Sequence, residues 1–418
     1  MVVPTKIQCD ACDTSFYIKY QIDQMISMYP WNLDFYCPLC GNRIHVILTS
    51  KGLNCKHSDE EGDDEAYLIG YSSCLPITKE LYFPLTNRDS RILSLTPFIN
   101  LTRYYGNGVI PTHTAFIKRI LDNVFEYRNS LTELLPILKK PNMNPEAYTR
   151  KNEKVFNIKA SKYRLRTYTE CVDHYAEMVR VCYINVAPPT IKRAPYGDFF
   201  IRLMDLVQRM KTADTIALKN EINQYFSLND WLIKNAFNHI AGMIGKIEKY
   251  FPVMFYGVTG EYSYPHSIQL FLVTINYKEV NNDYRKGYEV LEKILPAVVA
   301  LENRLNRGDV NNFGEGLKYT MSDFIKHTAG TKVGIIQKNE MLRNYFLGTL
   351  KNTIRNSETH DDSDFDSENQ ICRFVDLNNT NNITEIPLMD VAFMAYIQLI
   401  HIMEISLVVN SILQRAWT

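Results

Sequence analysis

Residues 389–413 constrain this chain more than any other stretch. From 397 to 413 the run is apolar almost all round, broken by His401 and Glu404, with Asp390 near its start. Such a helix has no face suited to water and needs neighbours on every side. The three polar residues argue for a buried helix rather than a bilayer span. A bundle interior and a dimer interface together are the expected cover. At 418 residues the chain exceeds the roughly 250–300 at which one core stops growing, so two or three domains are expected.

The opposite end carries a different constraint. Cys9-Asp10-Ala11-Cys12 and Cys37-Pro38-Leu39-Cys40-Gly41 are two C-x-x-C pairs separated by residues 13–36. Two such knuckles place four thiolates, from Cys9, Cys12, Cys37 and Cys40, around one tetrahedral Zn²⁺, and Gly41 permits the tight turn that aims amides at sulfur. We expect a zinc ribbon over 1–58, with one structural Zn²⁺, a partly helical insertion over 17–29 and a strand over 44–48. Such a metal takes the place of a core too small to fold alone. Direct nucleic-acid contact by the ribbon is the less favoured alternative, and Cys55 and His57 read as loop residues. Nine cysteines, four of them in these pairs, fit a reducing compartment better than a disulfide framework. The first residues lack the basic flank and apolar core of a signal peptide, so the cytosol is the expected location, with no membrane partner.

Residues 59–66 form an acidic linker. The middle region, 67–284, is expected to be mixed and then mainly helical. Short strands and turns lead to about 110. An amphipathic helix then carries Phe116, Ile120, Leu121, Val124 and Phe125, and Pro136, Pro141 and Pro145 argue for a loop. The 46 basic and 46 acidic residues cancel, so any nucleic-acid binding must come from a local patch. The best candidate is Lys159, Lys162, Arg164 and Arg166, where alternation over 162–166 puts cations on one side of a strand that could track a phosphate backbone. A solvated, charge-protected edge strand explains the same pattern equally well. Residues 255–262 carry two glycines without a Gly-Lys-Ser/Thr sequence, and read as a turn rather than a phosphate cradle.

Residues 285–418 are expected to fold as a compact helical unit. Tyr288, Leu291, Leu295, Val298, Leu301 and Leu305 recur at helical spacing, with Pro296 placed to kink that helix and Gly308 to stop it. A second long helix is expected from about 335 through Leu342, Phe346, Leu350 and Ile354. An acidic loop over 361–368 follows, then a hairpin of 371–375 with 383–386 on an asparagine-rich turn, and Pro387 stands where the last helix can begin. At the end of the second helix lie Arg355, Asn356 and His360. An arginine is a permanent cation whose planar fork suits phosphate, and a histidine trades a proton near neutral pH. Read without context, Arg355 and Asn356 are equally at home capping a helix C-terminus.

Two helices, Arg355-Asn356-x-x-x-His360, a short hairpin and a closing apolar helix together resemble the HEPN superfamily of ribonucleases. The resemblance implies a mainly α fold: a HEPN-like C-terminal bundle with a small β-hairpin, a helical middle region and the N-terminal zinc ribbon. It also implies attack of an RNA 2′-hydroxyl on the adjacent phosphate without a catalytic metal. His360 would serve as general base or acid, Arg355 would hold the phosphate, and Asn356 would fix their geometry. Residues five apart on an unbroken helix stand about 140° apart in azimuth, so the helix must end between Arg355 and His360, or two chains must share a cleft. The resemblance favours a composite site in a homodimer, and a toxin or abortive-infection (antiphage defence) role under a trigger or inhibitor. The rival reading is a non-catalytic zinc-ribbon module, binding nucleic acid or protein, with a helical dimerisation domain.

Overall fold

The computed structural model describes residues 2–21, 31–37, 39–49, 52–54, 67–71, 75–78, 97–157, 165–188, 195–259, 269–314, 319–346, 348–359, 363–376 and 379–417. The N-terminal strands are β1 (Val2–Gln8), β2 (Ser15–Gln21), β3 (Trp31–Tyr36), β4 (Arg43–Thr49), β5 (Gly52–Asn54), β6 (Tyr67–Tyr71) and β7 (Ile77–Thr78). Helices α1 (Pro97–Tyr105), α2 (Val109–Leu138), α3 (Pro145–Phe156), α4 (Tyr168–Val186), α5 (Pro195–Arg209), α6 (Thr212–Asn223), α7 (Phe237–Ile244) and α8 (Phe255–Thr259) follow, then strand β8 (Leu270–Phe271). The C-terminal part comprises α9 (Tyr277–Arg307), α10 (Met321–Lys326), α11 (Ala329–Ile336), α12 (Glu340–Phe346), α13 (Asn352–Thr359), β9 (Ser363–Asp366), β10 (Ile371–Asp376), β11 (Asn379–Pro387) and α14 (Leu388–Trp417). The protein is mainly helical.

These elements fall into two compact units, each assembled from three stretches of sequence: 1–117, 247–282 and 356–396 in one, and 118–246, 283–355 and 397–418 in the other. The first holds all the described strands. Its sheets are β1-β2-β6, with β6 parallel to β2, then β3-β4-β5, β7-β8 and β11-β10-β9. Residues 17–21 belong to β2, paired antiparallel with β1, and not to a helix. Alternating side chains let one face of this strand bury Ile18, so local pairing overrides any helical tendency of the tyrosine-rich sequence. The 59–66 linker lies outside the described residues.

The second unit is helical throughout its described residues. Two of its helices start on side-chain caps that bear on the sequence reading: Asn144 accepts from Glu146 N–H ahead of Pro145, and Thr167 with Glu170 forms a reciprocal box before α4. Thus Pro145 opens a helix, while Pro136 lies inside α2, where only the last turn follows it. Cys171, Tyr175, Met178, Val179, Cys182 and Val186 form the buried stripe of α4. Pro296 does not end α9, which runs on to Arg307, where Gly308 at φ +74° stops it.

The long helix expected from about 335 is instead three short ones, α11, α12 and α13. Its apolar side chains repeat every fourth residue across the breaks, which hid them from periodicity. The breaks come from Asn339, whose side chain caps Leu342 N–H at 3.1 Å, and from Gly348 at φ +75°. After α13, part of the expected acidic loop is strand β9, and the expected hairpin β10–β11 gains it as a third strand. Arg373 on β10 stands opposite Asp364 and Glu385, one on each flanking strand, so cross-strand charge pairing supports a strand poor in apolar residues.

Helix α14 is buried at every residue from 388 to 410. It is long and apolar enough to cross a membrane, yet 94% of its most apolar window is buried inside the protein. Cover for this helix therefore comes from within one chain, and no face is left over for the expected dimer interface. Close packing explains one residue on α9. A methyl added at Gly287 would collide with Oε1 of Gln398 and come within 3.2 Å of its Cβ, while the amide of Gln398 is already committed to Thr349 C=O at 2.9 Å. Gly287→Ala should therefore cost about 1–3 kcal/mol of stability, although alanine is the better helix former, and denaturant unfolding would measure it.

The one carboxylate deep in α14 is Glu404. Tyr183 OH on α4 donates to its Oε1 and Tyr345 OH on α12 to its Oε2, both at 2.8 Å. Burial pushes this carboxyl up to about 7 against the pull of the two tyrosines, and burial pushes neighbouring His401 down to about 3.

Candidate functional site

The four N-terminal cysteines converge. Their sulfur atoms all lie within 4.8 Å of one another, with Cys9–Cys40 and Cys12–Cys37 each at 3.6 Å and none in a disulfide. Four sulfurs about 2.3 Å from a shared tetrahedral metal stand about 3.8 Å apart, so this donor set fits one ion. The two knuckles are built alike. In the first, Cys9 C=O accepts from Asp13 N–H at 2.9 Å and Cys9 N–H donates to Thr14 C=O at 3.0 Å. In the second, Cys37 C=O accepts from Gly41 N–H at 2.9 Å and Cys37 N–H donates to Asn42 C=O at 2.7 Å. Each knuckle closes a hairpin, β1–β2 or β3–β4, and the residue after its second cysteine is left-handed: Asp13 at φ +55°, Gly41 at φ +70°. The glycine signalled its turn in the sequence. The aspartate did so only weakly, as one of the few other residues that tolerate this conformation.

Around the sulfurs, Thr14 Oγ1 lies 3.2 Å from Cys12 Sγ, and hydrogen bonding from Thr14 pulls that thiol down to about 6. Asn42 Nδ2 reaches Cys9 Sγ at 3.9 Å. Such outer partners orient metal ligands, while burial pushes the Cys37 thiol the other way, up to about 12.

Arg355 sits half-buried on α13, which is described as far as Thr359. The start of α13 is held by two tyrosines one turn apart on α9. Tyr284 OH accepts Lys351 N–H at 2.8 Å and lies 3.0 Å from Thr349 C=O; Tyr288 OH lies 3.2 Å from Oδ1 of Asn352. Arg355 follows Asn352 by three residues, on the same side of the helix. Its charge is felt at Tyr288, whose phenol burial pushes up to about 12 while Arg355 draws it back. One turn further along α9, Glu292 pairs with Lys332 at 2.7 Å. Arg355 therefore stands on a helix whose start is held by two hydroxyls of α9. Nothing in the sequence marked Tyr284 or Tyr288 as more than core positions.

Asn356 follows on α13, and Ser357 OH donates to Val375 C=O at 2.6 Å, tying that turn to β10. His360 lies outside the described residues, as do Lys159, Lys162 and Arg164. Arg166 is exposed, and its backbone N–H donates to the Glu170 carboxylate at the start of α4, so at this residue the chain is a helix cap rather than a strand. Among the other histidines, His113, His239 and His401 are buried packing residues.

No family model, curated protein or solved structure matches the chain. The functional reading therefore stands on the residues themselves.

Proposed function

We propose that this chain is a metal-independent endoribonuclease of the HEPN type, with Arg355, Asn356 and His360 as its catalytic set and a structural Zn²⁺ held by Cys9, Cys12, Cys37 and Cys40. The observation that carries the nuclease reading is the placement of Arg355 on α13, a helix whose start Tyr284 and Tyr288 hold by hydrogen bonds at Lys351 and Asn352. Residues five apart on an unbroken helix cannot face one phosphate, so the reading requires the helix to end before His360 or two chains to share the site. Part of the order in the resemblance is kept, since the Arg355 helix is followed by β9–β11 and then by the closing apolar helix α14, although three short helices separate α9 from α13.

In this reading Arg355 binds the scissile phosphate through its fork and stabilises charge growing on the non-bridging oxygens. His360 takes the proton from the RNA 2′-hydroxyl as the oxygen attacks phosphorus. The 5′-oxygen leaves with a proton, giving a 2′,3′-cyclic phosphate and a 5′-hydroxyl. The resemblance adds a homodimer with a shared cleft and a toxin or abortive-infection role in the cytoplasm. A dimer would have to use a surface other than α14. The deciding experiment incubates the protein with structured RNA and tRNA in EDTA and analyses the new ends. Cyclic phosphate and 5′-hydroxyl ends are expected; 3′-hydroxyl ends, or complete dependence on a divalent ion, would sink the assignment. A chain inert under every condition would favour a zinc-ribbon interaction module instead.

For the metal, the expected result is one zinc per chain by elemental analysis of protein purified under reducing conditions. Cys37→Ser should abolish it and unfold the ribbon locally, since a structural zinc site supplies about 10–16 kcal/mol of binding energy to its fold. Retention of full stoichiometry by that variant would rule out the four-cysteine site.

A further inference from the structure

The second knuckle has a docking partner within its own unit, and that partner is the hairpin that follows the Arg355 helix. Gly41 lies against the turn between β9 and β10: a methyl added at Gly41 would stand 2.7 Å from Oγ of Ser367. Tyr36, the residue before Cys37, packs its ring on Phe365 of β9 at 5.3 Å, and Phe365 stacks on Tyr277, the first residue of α9, at 4.7 Å and 12° between planes. The close approach depends on Gly41, a left-handed residue without a side chain, in a knuckle whose sulfurs stand at metal-binding distance.

The far side of the same turn is secured differently. Gln370 uses its side-chain amide as a strand would, accepting Leu272 N–H at 2.8 Å and donating to Leu272 C=O at 3.0 Å. Asp366 closes the turn by accepting from the N–H groups of Glu368 and Asn369, each at 3.0 Å. The turn is thus fixed at Gln370 by Leu272, and at Phe365–Ser367 by Tyr277 together with the knuckle.

We propose that metal binding at the four cysteines seats the second knuckle on Phe365 and Ser367, making the metal centre an intramolecular clamp on the β9–β10 hairpin. The inference rests on the metal reading above and not on the nuclease reading. Strand β9 begins three residues after His360 in the sequence, so the clamp acts on the chain just beyond the proposed catalytic set. By reciprocity, whatever the metal does for the hairpin, the hairpin does for the metal.

The test uses full-length protein loaded with Zn²⁺ and the same protein stripped by chelator under reducing conditions. Hydrogen exchange over 363–369 should speed at least tenfold on stripping, while exchange over 291–301 of α9 stays unchanged. Phe365→Ala, which keeps all four cysteines, should bind Zn²⁺ about tenfold more weakly in competition with a chromophoric chelator. Unchanged exchange over 363–369 in protein shown to have lost its zinc overturns the clamp, as does wild-type zinc affinity in Phe365→Ala. Should that variant not fold, the wild-type exchange comparison decides alone. Wild-type protein that takes up no Zn²⁺ overturns the metal reading itself, a result that elemental analysis separates from failure of the clamp.

Discussion

Arg355→Ala should lower RNA cleavage by about 10²–10³, the usual cost of removing one preorganised group that stabilises charge in a transition state. His360→Ala should cost about 10²–10⁴, the range for a lost general base or acid. The double variant should be little worse than the poorer single one, because residues acting as a unit are not additive. Arg355→Lys is the sharper probe. It keeps the charge but loses the fork, and a bidentate phosphate contact predicts a large loss despite conservation of charge. The melting temperature of each variant, measured beside its cleavage rate, separates lost chemistry from lost folding. Equal cleavage by wild type and both single variants would remove the catalytic assignment.

The second large effect concerns Glu404, whose carboxyl burial lifts from an ordinary 4.5 to about 7. A group raised on folding holds its proton more tightly in the native state. Its stabilising contribution is therefore complete below about pH 4.5 and is lost as pH rises through about 7. The shift corresponds to about 3 kcal/mol. Glu404→Gln cannot ionise, and its side chain still reaches Tyr183 and Tyr345, so it should flatten this part of the profile. Burial pushes His401 the other way, to about 3, so its contribution declines as pH falls below its ordinary 6.5. Both proteins carry His401, and subtracting the Glu404→Gln curve from wild type cancels it. Denaturant unfolding at pH 5, 6.5 and 8 should show wild type losing about 3 kcal/mol more than the variant between the extremes. Parallel curves would mean that Glu404 is not desolvated as its surroundings imply.

Legibility in the sequence followed how local each cause is. The convergence of the four cysteines was readable, since C-x-x-C spacing brings each pair to one tight turn, although of the two turn residues only Gly41 announced itself. Helix α14 was readable because nearly every residue repeats one message. Where it was misjudged, in the expected dimer face, the missing information was tertiary: no sequence pattern says how much of an apolar helix its own chain will cover. The stretch 335–354 failed for an instructive reason. Leu342, Phe346, Leu350 and Ile354 are four residues apart, so periodicity joined them, whereas Asn339 and Gly348 carried the breaks. Strand β9 was read as an acidic loop because Ser-Asp-Phe-Asp holds one apolar residue, and its pairing depends on Arg373 in a different strand. At the proposed site Arg355 was visible from its motif, but Tyr284 and Tyr288 were not. Their role comes from where α9 meets the start of α13, a meeting that no spacing within either helix encodes.

The burial of α14 also has a consequence in time. From residue 397 its side chains are buried within the helical unit, and Glu404 ties α4 to α12 through it, yet it is translated after every other described element. At roughly 5–20 residues per second, α4 leaves the ribosome well before the helix it packs against exists. Until then Tyr183 and Tyr345 have no Glu404 to bond, and the apolar faces meant for α14 stand open. The helical unit therefore completes itself after synthesis of residues 388–417, and a chain cut short before them lacks the centre of its fold.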